Sequence, residues 1–581
     1  MRELAKWLWR FWRLHRSALA VIIIFSTANG AIKAAYPYVL KFIFDGIEAG
    51  FKIEDLLHYI LMFLGVGISV YLVYMTMQGT RAYMNMRMEF RFRQWIFEHI
   101  SRLSPSFYHK YTTGDIVTRL TDDITEKLAW FSCSGIFRTL EAVLMVVFGI
   151  AAMLTINAKL TLFAIGPLPL LVFIFIKTAT ILHQRFDTVQ KAISHINDVM
   201  ESCFSGIKVV KAYSREGAQK NVFSDAVDKR KKAEVRAVMT HGIIDSLWGH
   251  IWQLGVVIVM LFGGKMVIDG DLTLGGFVAF NSYVLMLIYP MFDIGQFVVA
   301  GRRGVVSVNR LRELEKFTPE IEEPSVPLKF ESDGMEIEFR EVGFSYDGNR
   351  FAVKNVSFAA KPGDLVALVG PVGSGKSTVL NMIPRLFDPT EGEITVNGKN
   401  LKYLSLEELR RAIGYVPQEP LLFSDTIENN ITFHREWVSA QSIKESAEMA
   451  QLKSELSQFK DGYHTRVGTR GVNLSGGQKQ RVSVARALAG NPKLLLLDDC
   501  TASLDALTEQ ELWRQLRQVM PKATCFLISH RTHTVRNADL ILVFDQGQIV
   551  ERGTHDSLIE LNGLYRQLYE KQLLAESVGI A

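Results

Sequence analysis

Six apolar stretches crowd the first 300 residues, near 18–44, 55–79, 130–155, 158–182, 243–268 and 272–300. Each is long enough to cross the roughly 30 Å hydrocarbon core of a bilayer, which takes about 20 helical residues. Backbone polar groups in lipid must be satisfied within the protein, so spans of this kind form helices. The whole chain has 581 residues, 48% of them hydrophobic, and its mean hydropathy is positive. With 65 Lys+Arg against 60 Asp+Glu, the net charge of +5 suggests no nucleic-acid partner.

The connections between spans differ in charge. The second-to-third is long and carries Arg81, Arg87, Arg91 and Arg93; the fourth-to-fifth carries DKRKKAEVR from Asp228. The other turns, DGIEAGFKIED, INAKL and DGDL, are short and weakly charged or acidic. The positive-inside rule therefore puts the basic connections, the N-terminus and the C-terminal half in the cytoplasm. Helical patterning through the long connections predicts that helices 2 to 5 project well beyond the bilayer.

The N-terminus, MRELAKWLWRFWRLHRSALA, has a basic, apolar look that a signal peptide could share, but no small-residue cleavage site follows. At helical spacing it reads as an interfacial helix. Trp7, Trp9, Phe11 and Trp12 would enter the bilayer interface, and Arg10, Arg13 and Arg16 would face anionic headgroups. Charges also fall in or near the spans. Arg138 and Glu141 stand three apart and are expected to form a local ion pair. Glu141 and Asp293 are also candidates for contact with a cationic substrate, because intramembrane charge usually faces a cavity or a partner. The four cysteines, Cys133, Cys203, Cys500 and Cys525, have no metal-ligand spacing and read as small buried apolar residues.

The composition changes near residue 320. The segment FTPEIEEPSVPLKF reads as a linker, and beyond it strand and helix patterns alternate with glycine turns. The expected domains are 1–317, 318–334 as linker, and 335–581. In the last of these, LVALVGPVGSGKST at 365–378 runs from an apolar strand through a glycine-rich turn into a helix. Gly370, Gly375, Lys376 and Ser377 fit the P-loop pattern, with Gly373, Ser374 and Thr378 completing the turn and helix start. Its backbone N–H groups would enclose phosphates, Lys376 would reach the β and γ phosphates, and Ser377 would ligate Mg²⁺. A P-loop needs a second strand ending in an acid for Mg²⁺, and Asp498, after four leucines in LLLLDDC, fits. Between the two, Leu474, Ser475, Gly476, Gly477 and Gln478 form LSGGQ at a helix start, another anion-binding terminus.

In this order and spacing the motifs resemble those of the ABC transporters, in the exporter arrangement of six transmembrane helices fused to one nucleotide-binding domain. The resemblance covers nearly the whole chain. It implies an α-helical six-span domain followed by an α/β P-loop NTPase domain with an ABC-type β-subdomain and helical subdomain. It also implies that LSGGQ is the signature, closing on ATP held by the other half of a dimer. Gln418, in YVPQEPLLF, matches the Q-loop glutamine that touches Mg²⁺. Asp505, with Ser503 and Leu504, matches the D-loop; His530 matches the switch histidine; Tyr346 matches the aromatic that stacks on adenine. ATP and Mg²⁺ are the implied ligands. With one P-loop and one signature, the chain needs a second half-transporter. Its coupling helices are expected in PSFYHKYTTGDIVTRL, from Pro105, and AYSREGAQKNVF, from Ala212.

Two positions depart from the family pattern. Asp499 stands where a glutamate usually polarises the attacking water, and Thr469 stands for an acid in the loop before the signature. One methylene fewer shortens the reach of the carboxylate by about 1.5 Å. A misplacement of about 1 Å can cost about 10²-fold in a positioned reaction. The expectation is a subunit of an ATP-driven exporter for amphipathic or hydrophobic substrates, with a degenerate site of its own and a partner that brings the glutamate. It resembles the degenerate-site subunit of heterodimeric bacterial multidrug exporters in the inner membrane. The alternatives are a homodimeric lipid or peptide flippase with two slow sites, and a regulatory subunit that clamps nucleotide without turnover.

Overall fold

A computed structural model describes residues 2–329, 334–468, 471–501, 503–519, 523–529 and 531–577. The chain divides into two compact units, Met1–Arg102 with Tyr111–Phe317, and Leu103–Lys110 with Thr318–Ala581.

The first unit is all helix. After Arg2–Trp12 it runs through Arg16–Glu48, Ile53–Ser101, Thr113–Ile156, residues 158–205, residues 216–268 and Leu274–Glu315, with one-residue breaks at Gly166 and Leu287 and a π-helical stretch, Val259–Gly263, inside 216–268. At 1.5 Å per residue the 49-residue helix Ile53–Ser101 is about 74 Å long, more than twice the hydrocarbon thickness. That length exceeds what a span needs, as the expectation for helix 2 requires. Among the described residues four helices are long and apolar enough to cross it: Glu3–Glu48, Ile53–Ser101, Thr113–Ile156 and Leu274–Glu315. Gln253–Ile268 is a shorter apolar helix. The expected span near 158–182 runs through Pro167–Ser205, where the side chains of 167–172 lie outside the description. The third path is π-helical over Arg119–Ala129 and Phe131–Gly135.

Tertiary contacts revise two expectations for this unit. Of the four aromatics in the first helix, only Trp9 is exposed, at 54%; Trp7, Phe11 and Trp12 are buried in the protein. Trp7 and Phe11 lie 5.2 and 4.7 Å from Phe92, and Trp12 lies 5.1 Å from Phe137. Arg10 pairs with Glu315 at 2.9 Å. The first helix is thus a strap across the helical bundle, with Trp7, Phe11 and Trp12 turned toward other helices and Trp9 left exposed. Nor do Arg138 and Glu141 pair with each other. Arg138 meets Asp293 at 3.3 Å. Glu141 accepts from Asn29 at 2.5 Å and faces Lys33 and Arg81 at 3.5 and 3.7 Å. A carboxylate at low dielectric gains more from several donors on neighbouring helices than from one flexible neighbour on its own.

Among the described residues the second unit holds two sheets. Strands β1 (Ile337–Ser345), β2 (Phe351–Ala360), β4 (Glu391–Val396) and β5 (Lys399–Asn400) form an antiparallel sheet in the order β2-β1-β4-β5. The larger sheet comprises β3 (Leu365–Val369), β6 (Ile413–Val416), β7 (Leu494–Asp498), β8 (Thr524–Ile528), β9 (Leu540–Asp545) and β10 (Gln548–Gly553). Its order is β10-β9-β3-β8-β7-β6, parallel except for β10. The four leucines of β7 show why such strands are apolar throughout. Leu494 and Leu496 enter the core shared with Phe339 and Val379, while Leu495 and Leu497 enter the one shared with Val482 and Ala485 of the signature helix. A sheet covered on both faces leaves no solvent side for a polar residue. Leu328, in the expected linker, hydrogen-bonds through its N–H to the Tyr403 carbonyl at 2.8 Å.

Candidate functional site

Parallel sheets collect ligands at the carboxyl ends of their strands. The motif residues gather there: Gly370 follows β3, Gln418 follows β6, Asp498 ends β7 and Ser529 follows β8.

The turn after β3 tolerates glycine alone at two places. Gly370 has φ +145°, and a Cβ there would sit 2.1 Å from the Phe544 carbonyl oxygen; Gly375 has φ +99°, with the Ala352 carbonyl oxygen 2.6 Å away. Both the dihedral and the close backbone exclude a side chain. Helix Lys376–Met382 starts directly behind, which aims its free N–H groups into the turn. Lys376 is 7% exposed, and its ammonium donates to the carbonyls of Gly370 and Pro371 at 2.9 and 2.8 Å and to Ser374 Oγ at 3.3 Å. Burial pulls its pKa below the usual lysine range, and Asp498 and Asp499 act against that shift. A cation thus stands over the loop with two acids near it. Ser374 and Thr378 are buried and Ser377 is half-buried. Tyr346 is 53% exposed, and its hydroxyl shares a 3.1 Å hydrogen bond with Thr378 Oγ1. Phe344 and Phe387 meet the Tyr346 ring edge-on at 4.8 and 5.4 Å.

At the end of β7 the chain turns sharply. Asp498 is buried, and Asp499 takes a left-handed backbone with φ +45°. Aspartate is among the few residues that tolerate this region. The turn is held from two sides. Asp499 N–H donates to the Ile528 carbonyl at 2.9 Å, and the Asp499 carbonyl accepts from Gln480 Nε2 at 3.2 Å. Gln480 is fully buried on the signature helix; the sequence pattern contained it but assigned it no task. Tyr415 at the end of β6 donates to Asn381 Oδ1 at 3.1 Å, and burial, with Asp498 nearby, pushes its phenol up to about 12. Gln418 is exposed just beyond. Cys500 and Cys525 are buried thiols whose pKa values burial pushes up, which makes them inert.

The signature lies at the start of helix Gly476–Leu488. Ser475 caps it: its Oγ accepts from Gln478 N–H at 3.2 Å, while Gln478 Oε1 accepts from Ser475 N–H at 2.9 Å. Leu474 is buried beneath. A Cβ on Gly477 would come within 3.1 Å of the Ser503 carbonyl oxygen, so the signature and the turn Ser503–Asp505 lie against each other. Asp505 caps the next helix by accepting from Thr508 N–H at 3.1 Å, and that bond holds its carboxyl below the usual range. His530 and Thr469 lie outside the described residues. For Mg²⁺, Ser377, Asp498 and Gln418 offer a hydroxyl, a carboxylate and an amide. One carboxylate with other oxygens and phosphate is the donor set this ion favours, so the residues fit it.

The fold and site define an ATP-binding-cassette domain joined to a helical membrane domain. Two family models match in that order, ABC transporter transmembrane region over 19–291 and ABC transporter over 353–502. The probable multidrug resistance ABC transporter ATP-binding/permease protein YheI of Bacillus subtilis is 33% identical over 568 residues, 97% of each chain. The ATP-dependent lipid A-core flippase of Syntrophus aciditrophicus is 28% identical over 586 residues, 99% of this chain and 96% of that one. The structure of a bacterial Atm1-family ABC exporter with ATP bound matches with a TM-score of 0.79 at 26% identity, over 96% of this chain and 98% of that one. The chain belongs to the ABC transporter family and is an exporter half-transporter with a six-span helical domain and one nucleotide-binding domain.

Proposed function

We propose that this chain is one subunit of a heterodimeric ATP-driven exporter, and that the site on its own P-loop holds ATP and turns it over slowly. The observation that carries this is Asp499. Its carboxylate is one methylene short of the usual glutamate, and its backbone is tied at both N–H and carbonyl, so the turn cannot advance to make up the missing reach. The intact LSGGQ would serve ATP on the partner, which would bring a glutamate of its own. On this reading the P-loop amides and Lys376 bind the phosphates, Tyr346 stacks on adenine, and His530 and Asp499 face the γ-phosphate. Mg²⁺, when bound, would neutralise developing charge on the β and γ phosphates; Ser377, Asp498 and Gln418 are the residues to hold it. ATP-driven closure of the two nucleotide domains would switch the helices between inward and outward access in a bacterial inner membrane, with those domains in the cytoplasm. The substrates would be amphipathic or hydrophobic, in line with the multidrug name of YheI.

The second reading is a homodimeric flippase with two slow sites, favoured by the full-length similarity to a lipid A-core flippase. One experiment separates them: ATPase of the purified complex, with its subunits identified by mass. In the heterodimer, Asp499→Asn keeps most turnover and Gly476→Asp abolishes it. Equal inactivation by both substitutions in a complex of one chain type would establish the homodimer instead.

A further inference from the structure

Glu509 is fully buried (0% exposed) in the first turn of helix Ala506–Val519. A buried carboxylate persists only when it is paired and hydrogen-bonded. Trp513 Nε1 and Thr534 Oγ1 each donate to its Oε1 at 3.4 Å, and Arg531 forms a close ion pair with its Oε2. Arg531 does more than neutralise it. Its second terminal nitrogen donates to the Leu504 carbonyl at 3.3 Å, and its backbone N–H donates to Ser529 Oγ at 3.0 Å. One guanidinium therefore bridges the segment after β8 to the turn Ser503–Asp505. That turn in turn abuts Gly477 of the signature.

We infer that Glu509 is a positioning residue for ATP turnover: it holds Arg531 so that Ser529 and Arg531 after β8, the D-loop and the signature move as one body. The inference rests on the reading that the first of these faces the chain's own ATP and the other two face ATP on the partner. The ion pair is then the link through which nucleotide at one site sets the geometry of the other. The planar fork of arginine can hold a carboxylate and a carbonyl at once, which a lysine ammonium cannot do with the same fixed spacing.

The test uses the purified full transporter with its partner chain. The variants are Glu509→Gln, which keeps acceptors for Trp513 and Thr534, and Arg531→Lys, which keeps the charge. Steady ATPase gives kcat and KM for MgATP; azido-ATP photolabelling of this chain and the thermal midpoint are read in parallel. Both variants should lower kcat by at least about tenfold, with KM and photolabelling held within about twofold and a single cooperative unfolding transition kept, its midpoint lowered by the weakened ion pair. Unchanged kcat in either variant overturns the inference. So does a loss of kcat accompanied by equal loss of photolabelling or by loss of the cooperative transition, which marks a pair that only stabilises the fold. Gly476→Asp is the control for the underlying reading. If that variant keeps full turnover, the signature does not serve a partner site, and the paired-site reading fails whatever the Glu509 variants do.

Discussion

Gln480 Nε2 donates to the backbone carbonyl of Asp499 at 3.2 Å, which joins the buried face of the signature helix to the acid turn at the end of β7. The two segments belong, in the family's scheme, to different ATP sites. Gln480→Leu keeps the volume and removes the donor to the half-buried Asp499 carbonyl, while also removing the buried Gln480 Oε1, which has no hydrogen-bond partner among the described residues. The net cost should be about 1 kcal/mol, read as a lowered thermal midpoint of the purified protein. A midpoint equal to wild type would show that the bond contributes nothing.

Lys376→Ala removes the cation over the P-loop. Loss of a charge-assisted contact to phosphate should weaken ATP binding by roughly 1.5–3 kcal/mol, at least about tenfold in Kd. Azido-ATP labelling of this chain across a concentration series measures it; an unshifted series contradicts the assignment of the loop.

Trp7→Ala should empty a site walled by Phe11, Phe92 and Trp95, whose rings lie 4.8, 5.2 and 6.1 Å from its own. Truncation of a buried Trp costs about 3–5 kcal/mol. The fraction surviving a heating step in detergent, followed by gel filtration, should fall sharply. Trp9→Ala, at an exposed position on the same helix, should not change it. Equal effects would mean that the aromatics act through lipid.

Orientation can be read from one engineered thiol. Ala49 lies in the exposed turn between the first two spans, which positive-inside logic puts outside. Cys133, Cys500 and Cys525 are buried and only Cys203 is partly accessible, so Ala49→Cys with Cys203→Ser suffices. Membrane-impermeant maleimide should label it in intact cells. Labelling only after permeabilisation would invert the topology.

The motifs were legible in the residues because their chemistry is local. A turn that needs φ +145° and +99° next to neighbouring backbone writes itself as glycine, and a strand covered on both faces writes itself as LLLL. Spans were legible for a similar reason: lipid imposes length and polarity on each segment separately. What the tertiary structure alone decided is the rotation of each helix about its axis and the identity of distant partners. An i, i+3 spacing allowed Arg138 to reach Glu141, yet Asp293, Asn29, Lys33 and Arg81 arrive from other helices and take those places. The amphipathic pattern of the first helix showed an apolar stripe but not whether protein or lipid covers it, and Phe92 and Phe137 cover it. Gln480 and Glu509 carry no sequence signal of their own, since their roles depend on a carbonyl 19 residues away and a guanidinium 22 residues away that only folding brings within reach.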